Sequence, residues 1–249
     1  MKKLRQIPEA EVIAGFLKNE YYQEEFHSDR TQFESVVIQP DTTNPAQNAL
    51  RRALLFRRRG HLWREIPAGT QWYEIHLEDC DLKRVRVFPR HPWWAITLGG
   101  FQLERIAERI RNGRASHLPQ FMAKIHSLGY HMRLEPRRST VVLIGVDETH
   151  PLTIVEGNHR LTAAMLVSRA LIGERFQVIC GFSSQMRQCC WYATTPEALV
   201  RYLTHRLQNL FYDPEADLAR VLVPEAVGGL VQPASELPQA LKSDAMIRQ

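Results

Sequence analysis

An α/β or α+β fold is predicted by three features of the sequence. Residues 71–185 alternate β-branched runs with helical apolar stripes. Within them, STVVLIGV and LTIVEG read as two strands of a hairpin joined by DETHP. The segments on either side carry helical rather than strand periodicity. Four regions follow: a helical N-terminal extension over 1–70, the α/β core over 71–185, C-terminal helices over 186–223 and a loosely ordered tail over 224–249.

Taken in order, residues 8–26 form a helix by pattern, with Val12, Ile13, Phe16 and Leu17 on one face and Pro8 near its start. QPDTTNPA, residues 39–46, is a loop because it holds two prolines in an Asx/Thr cluster. Asn44 is placed to cap a helix that opens at Pro45 and stops at Gly60. QWYEIHLE (71–78) and RVRVF (84–88) have strand character. Pro89 and Pro92 then break the chain ahead of Trp93 and Trp94. The stripe Phe101, Leu103, Ile106, Ala107, Ile110 predicts a helix over 101–112, and a short helix over 120–127 follows Pro119 and closes at Gly129. After the hairpin, a helix is expected from Asn158 to Leu171, ending at Gly173, and RFQVICGF continues as a strand. Residues 196–211 are helical with Pro196 in the first turn, and DPEADLAR starts another short helix. From Pro224 the chain has few large side chains and is expected to be loosely ordered.

The bulk properties bound the function. A hydrophobic content of 44% in 249 residues is enough to build a core without disulfide or metal staples. The net charge of +5 permits an anionic partner without requiring one. Cys80, Cys180, Cys189 and Cys190 include no CxxC pair, so buried, reduced thiols in a cytoplasmic protein are expected. MKKLRQIPEAEV has no apolar stretch behind its lysines, so no signal peptide is expected, and no run approaches the roughly 20 residues of a membrane span. Arg51, Arg52, Arg57, Arg58 and Arg59 form either a solvated basic face or a patch for phosphate, nucleic acid or acidic lipid.

The chemistry concentrates in TIVEGNHRLTAAML, residues 153–166, where a strand enters a helix through a glycine. The first N–H groups of such a helix have no intrahelical acceptor, and the helix dipole adds positive character, so an anion fits there. Gly157 permits a tight turn and close backbone approach to a ligand. Arg160 has forked donors suited to phosphate oxygens, and His159 adds one or two more. Glu156 ends the strand at the same mouth. The competing reading is a plain helix start, with Asn158 as N-cap and Thr162 and the alanines as packing.

LTIVEGNHRLTAAML resembles the ParB/sulfiredoxin superfamily, in which a strand ends in Gly-x-His-Arg or Gly-x-Arg-Arg and an alanine-bearing helix follows. The nearest branch is that of the free serine kinases, with Asp-Gly-His-His-Arg; here the match is Glu156-Gly157-Asn158-His159-Arg160, with Leu161 and Ala163-Ala164 behind it. VVLIGVDETHPLTIVEG is similar to the two strands before the family's corner. LKRVRVFPRHPWW and GFQLERIAERI look like its opening strand, loop and first helix. The resemblance covers about residues 72–185 and implies a ParB/sulfiredoxin-like mixed sheet with helical additions at both ends.

It further implies that the corner receives nucleotide phosphates. Gly157, Asn158, His159, Arg160 and Thr162 would be the contacts, with Arg86 of the opening strand assisting. Glu156 would take the acidic position, orienting an acceptor hydroxyl and holding Mg²⁺. His159 and Arg160 would stabilise developing charge. Glu78 is a candidate for the kinases' upstream catalytic glutamate, and Glu74 is the other. Asn158 stands where sulfiredoxins need a cysteine, which argues against sulfinic-acid reduction. Partitioning ParB proteins carry paired arginines and a helix-turn-helix, and this chain has neither. The expectation is an ATP- and Mg²⁺-dependent kinase acting on the hydroxyl of a small metabolite or sugar-like acceptor. The alternative is a non-catalytic, nucleotide-switched or nucleic-acid-binding ParB-like protein.

Other candidates carry less. Arg84, Arg86 and Arg90 alternate near the opening strand and either assist phosphate binding or form an exposed face. Trp93 and Trp94 either stack on a base or pack under the loop. Glu135, Arg137 and Arg138 read as surface charges. His117, His126, His131 and His150 are scattered without zinc-ligand spacing, and neither GxSxG nor a Walker motif is present. No carboxylate cluster suits two-metal hydrolysis.

Overall fold

The computed structural model joins six strands into one mixed sheet in the order β1-β2-β6-β4-β5-β3, with helices on both faces. It describes residues 1–89, 91–97, 99–134, 138–193 and 195–222. Arg90, Glu135, Arg137 and the tail expected from 224 lie outside the described residues. The strands are β1 (Lys2–Ile7), β2 (Gln71–His76), β3 (Val85–Arg86), β4 (Ser139–Gly145), β5 (Leu152–Glu156) and β6 (Phe176–Phe182). β4 runs parallel to β6 and β3 parallel to β5, while the other neighbours are antiparallel. The hairpin read from the sequence is β4–β5, with Gly145 opposite Leu152 and Val142 opposite Glu156.

Alternation along the strands sends apolar side chains to two cores. Val141, Leu143, Ile154 and Val178 face one, which is closed by α5 (His91–Thr97), α6 (Leu103–Arg111), α7 (Pro119–Leu134), α8 (Asn158–Val167) and α9 (Ala170–Arg175). Val142, Ile144, Val155 and Ile179 face the other, under α1 (Glu9–Glu20), α2 (Arg30–Ile38) and α3 (Pro45–Trp63). α4 (Asp79–Leu82) is a short turn after β2, and α10 (Pro196–Leu210) and α11 (Pro214–Val221) follow the sheet. Residues 1–70 therefore share a core with the sheet and supply one of its strands, which differs from the expected purely helical extension.

The departures have local causes. β1 was not expected because its side chains are exposed apart from Ile7, so pairing with β2 is carried by the main chain and leaves no apolar alternation to read. α5 spans Pro92, which was expected to break the chain; proline in a first helical turn loses no intrahelical bond. α3 continues past Gly60 to Trp63, bending at Arg59 (φ −131°, ψ 17°). α7 continues past Gly129, where a Cβ would lie 3.0 Å from Val167 Cγ2. That glycine allows α7 to approach α8 closely and does not end the helix. The helix expected over 158–171 divides at Ser168, whose extended backbone separates α8 from α9. Asn44 caps α3 as expected, its Oδ1 accepting from the Gln47 N–H at 3.1 Å. Among the described residues no helix is long and apolar enough to cross a membrane.

Candidate functional site

β5 delivers Glu156 to the sheet edge, and Gly157 turns the chain into α8 with φ 99° and ψ 14°. This left-handed backbone suits glycine, and a Cβ there would stand 2.8 Å from Val141 Cγ2. Gly157, not Asn158, occupies the N-cap position. Asn158 instead accepts a hydrogen bond from the Phe88 N–H at 2.7 Å, tying the segment after β3 to the corner. The helix start therefore has no side-chain cap, and its leading N–H groups keep their affinity for an anion.

Arg160 points back beneath the corner. Its guanidinium donates to Asn19 Oδ1 and to the Thr140 carbonyl, each at 3.0 Å, and pairs with Glu156. Asn19 also donates to the Thr140 carbonyl at 2.7 Å, so α1, β4 and α8 meet on one oxygen. The expected phosphate-gripping arginine is thus engaged with protein groups, and it lines a cleft of about 750 Å³ with Lys18, Tyr22, His131 and Gln177. Burial raises the Glu156 carboxyl above its ordinary value; the Arg160 charge opposes that rise and the nearby Glu20 charge adds to it.

On the other side of Glu156 a pocket of about 380 Å³ opens at the start of α8. It is lined by Asn158, His159, Glu156, Glu20, Arg59 and Lys124, with Phe88 and Trp93 among its apolar walls. The His159 ring centroid lies 5.2 Å from Trp93 and 5.4 Å from Phe121. Trp93 is buried and Trp94 is exposed, so the first belongs to this wall and the second does not. Arg59 pairs with Glu20 at 2.7 Å and Arg160 pairs with Glu156, while Glu24 is a third carboxylate lining the pocket. Glu20 and Glu156 would be the residues to hold a cation here, once a ligand rebalanced their ion pairs.

The remaining candidates lie elsewhere. Thr162 is fully buried inside α8, away from the mouth, and its hydroxyl has no hydrogen-bond partner among the described residues. Arg86 lies over the Tyr192 ring at 5.9 Å and does not line the pocket. Arg84 binds Asp81 and the Glu148 carbonyl. Glu78 belongs to a turn at which the Met1 amino group lies 2.6 Å from Asp81 and 3.8 Å from Glu78. Glu78, Cys80 and Asp81 bring ligand atoms within 4.8 Å of one another, but these cations already answer their charge. Glu74 is nearer the corner: it accepts from Gln177, which lines the larger cleft with Arg160.

The arginine run is dispersed. Arg51 is fully buried and donates to the Val36 and Asp41 carbonyls, Arg52 pairs with Glu9, and Arg58 donates to Ser28. The run therefore does not form one continuous solvated face, since Arg51 is buried. Of the four cysteines expected to be buried, Cys80 is exposed on the short α4 turn; Cys180, Cys189 and Cys190 are buried, and burial pushes the Cys189 thiol up to about 12, which suits an inert thiol. The sequence reading missed Asn19, Glu20 and Lys124. They come from α1 and α7, far from the corner along the chain, and no local spacing links them to it. No protein-family model, curated protein or solved structure matches this chain.

Proposed function

We propose that the chain is an ATP- and Mg²⁺-dependent phosphotransferase acting on the hydroxyl of a small metabolite or sugar-like acceptor. The reading combines the resemblance of the 153–166 corner to the ParB/sulfiredoxin superfamily with one observation. An uncapped helix N-terminus opens into a pocket that also holds His159, Lys124, Arg59 and three carboxylates, Glu20, Glu24 and Glu156. Backbone donors, a helix dipole and mobile cations are what phosphoryl transfer asks of a protein. In this reading the α8 amides, His159 and Lys124 receive the phosphates. Arg160 acts behind them by fixing Glu156, whose burial makes it a better proton acceptor for the acceptor hydroxyl. Mg²⁺ would be held by phosphate oxygens with Glu156 or Glu20 and would offset charge on the transferred group.

A thermal-shift screen with ATP, ADP, CTP and GTP in the presence of Mg²⁺ tests the reading, because a ligand of the folded state raises the melting temperature. ATP is expected to give the largest rise, and Lys124→Ala to reduce it while leaving the melting temperature of the free protein unchanged. If no nucleotide moves the transition, the phosphotransferase reading fails.

A further inference from the structure

α10 is inside out. Its inward row is Ala198, Arg201, Tyr202, His205 and Asn209, mostly polar groups. These residues hold the helix to the core through specific bonds. His205 Nδ1 lies 2.7 Å from the carboxylate of Glu65, a side chain with no exposed surface. Arg201 donates to Gln188 at 2.9 Å, and Tyr202 meets Trp191 edge-on with centroids 5.0 Å apart. The outward row is apolar: Leu199, Val200, Leu203, Leu207, Leu210 and Phe211 are between 46% and 88% exposed. No described residue covers them; just past α10, Tyr212 packs against Phe56, and Leu218 of α11 enters the core.

A helix ordinarily buries its apolar stripe against its own core. Here a buried carboxylate and an imidazole turn that stripe to solvent, which calls for a partner on the far side. The six side chains expose on the order of 700 Å² of largely apolar surface, near the roughly 800 Å² each partner gives to a stable interface. Leu199, Leu203 and Leu207 are spaced by four residues and symmetric about Leu203. An antiparallel second α10 therefore sets Leu203 against its own copy and Leu199 against Leu207, the self-complementary pattern that two-fold symmetry requires.

We propose that the outward face of α10 is the two-fold interface of a homodimer, with Leu203 on the axis. The experiment is sedimentation velocity of the full chain over a range of concentrations. Wild-type protein is expected as a dimer, and Leu203→Asp with Leu207→Asp is expected to halve the mass without changing the circular dichroism, since both residues are exposed. In a Cys80→Ser background, oxidised Leu203→Cys is expected to cross-link two chains, whereas Phe211→Cys, eight residues from the axis, is not. A wild-type monomer at every concentration overturns the proposal, and binding of that monomer to anionic vesicles would identify a lipid surface as the occupant. A dimer that survives the double substitution also overturns it, by placing the interface elsewhere.

Discussion

Arg160 and Glu156 illustrate how a pair of residues can be read correctly as neighbours and still change role. The sequence sets both at the mouth where a strand enters a helix, and the structure pairs them there. What spacing does not show is that Asn19 and the Thr140 carbonyl take the remaining edge of the guanidinium. Both partners are less than one fifth exposed, so removing one leaves a poorly solvated charge. Arg160→Met is expected to lower stability by about 3 kcal/mol, and Glu156→Leu in the same chain to restore much of it, read from urea denaturation. The pH dependence has a defined sign. The folded state holds the Glu156 proton to higher pH than the unfolded chain, whose carboxyl titrates near 4.5. Stability from this group is full below that value and is lost as pH rises through the raised folded value. Denaturation midpoints of wild type should therefore fall relative to Glu156→Gln over that window; parallel pH profiles would contradict the assignment. Gly157→Ala meets both a positive φ and Val141, and an expected loss of about 2 kcal/mol is checked by the same denaturation.

At the scale of elements, periodicity located helices and strands better than it located their ends or their partners. β4, β5 and β6 were legible because a strand buried on both faces is a continuous apolar run. β1 was not, because an exposed edge strand owes its place to hydrogen bonds that any sequence can make. Gly129 and Gly60 read as stops, yet both lie inside helices where a neighbour comes close: Val167 at one, and Asn209 at the other, 2.8 Å from where a Cβ would stand. Gly181 on β6 makes a similar case. A Cβ there would lie 2.6 Å from the ring of Trp72, which is held by stacking on Trp63 with centroids 6.0 Å apart. Gly181→Ala is expected to cost about 1–3 kcal/mol by overpacking, seen as a lower thermal midpoint; an unchanged midpoint would show that the tryptophan pair yields. Periodicity also finds α10 without saying which way its stripe faces, since the direction is set by Glu65, far away in sequence.

For the molecule as a whole, the alternating pattern of residues 71–185 was enough to predict an α/β or α+β core, which the structure builds as a six-stranded mixed sheet layered by helices. The corner at 153–166 was legible because its ingredients are contiguous. The rest of the candidate site was not, because the two helical layers assemble it: Asn19 and Glu20 from α1, Arg59 from α3, Lys124 from α7. The same assembly explains why Thr162, Arg86 and Glu78 do not join them. One of these is packed inside α8, one lies against Tyr192, and one is engaged at the Met1 amino group. The central claim is that the pocket at the start of α8 receives nucleotide phosphates. Calorimetric titration of Mg²⁺-ATP into wild type and Lys124→Glu tests it most directly. Saturable binding by wild type, weakened at least tenfold (about 1.4 kcal/mol) by the reversed charge, is the predicted result. Absence of binding, or equal affinity in the two proteins, would contradict it.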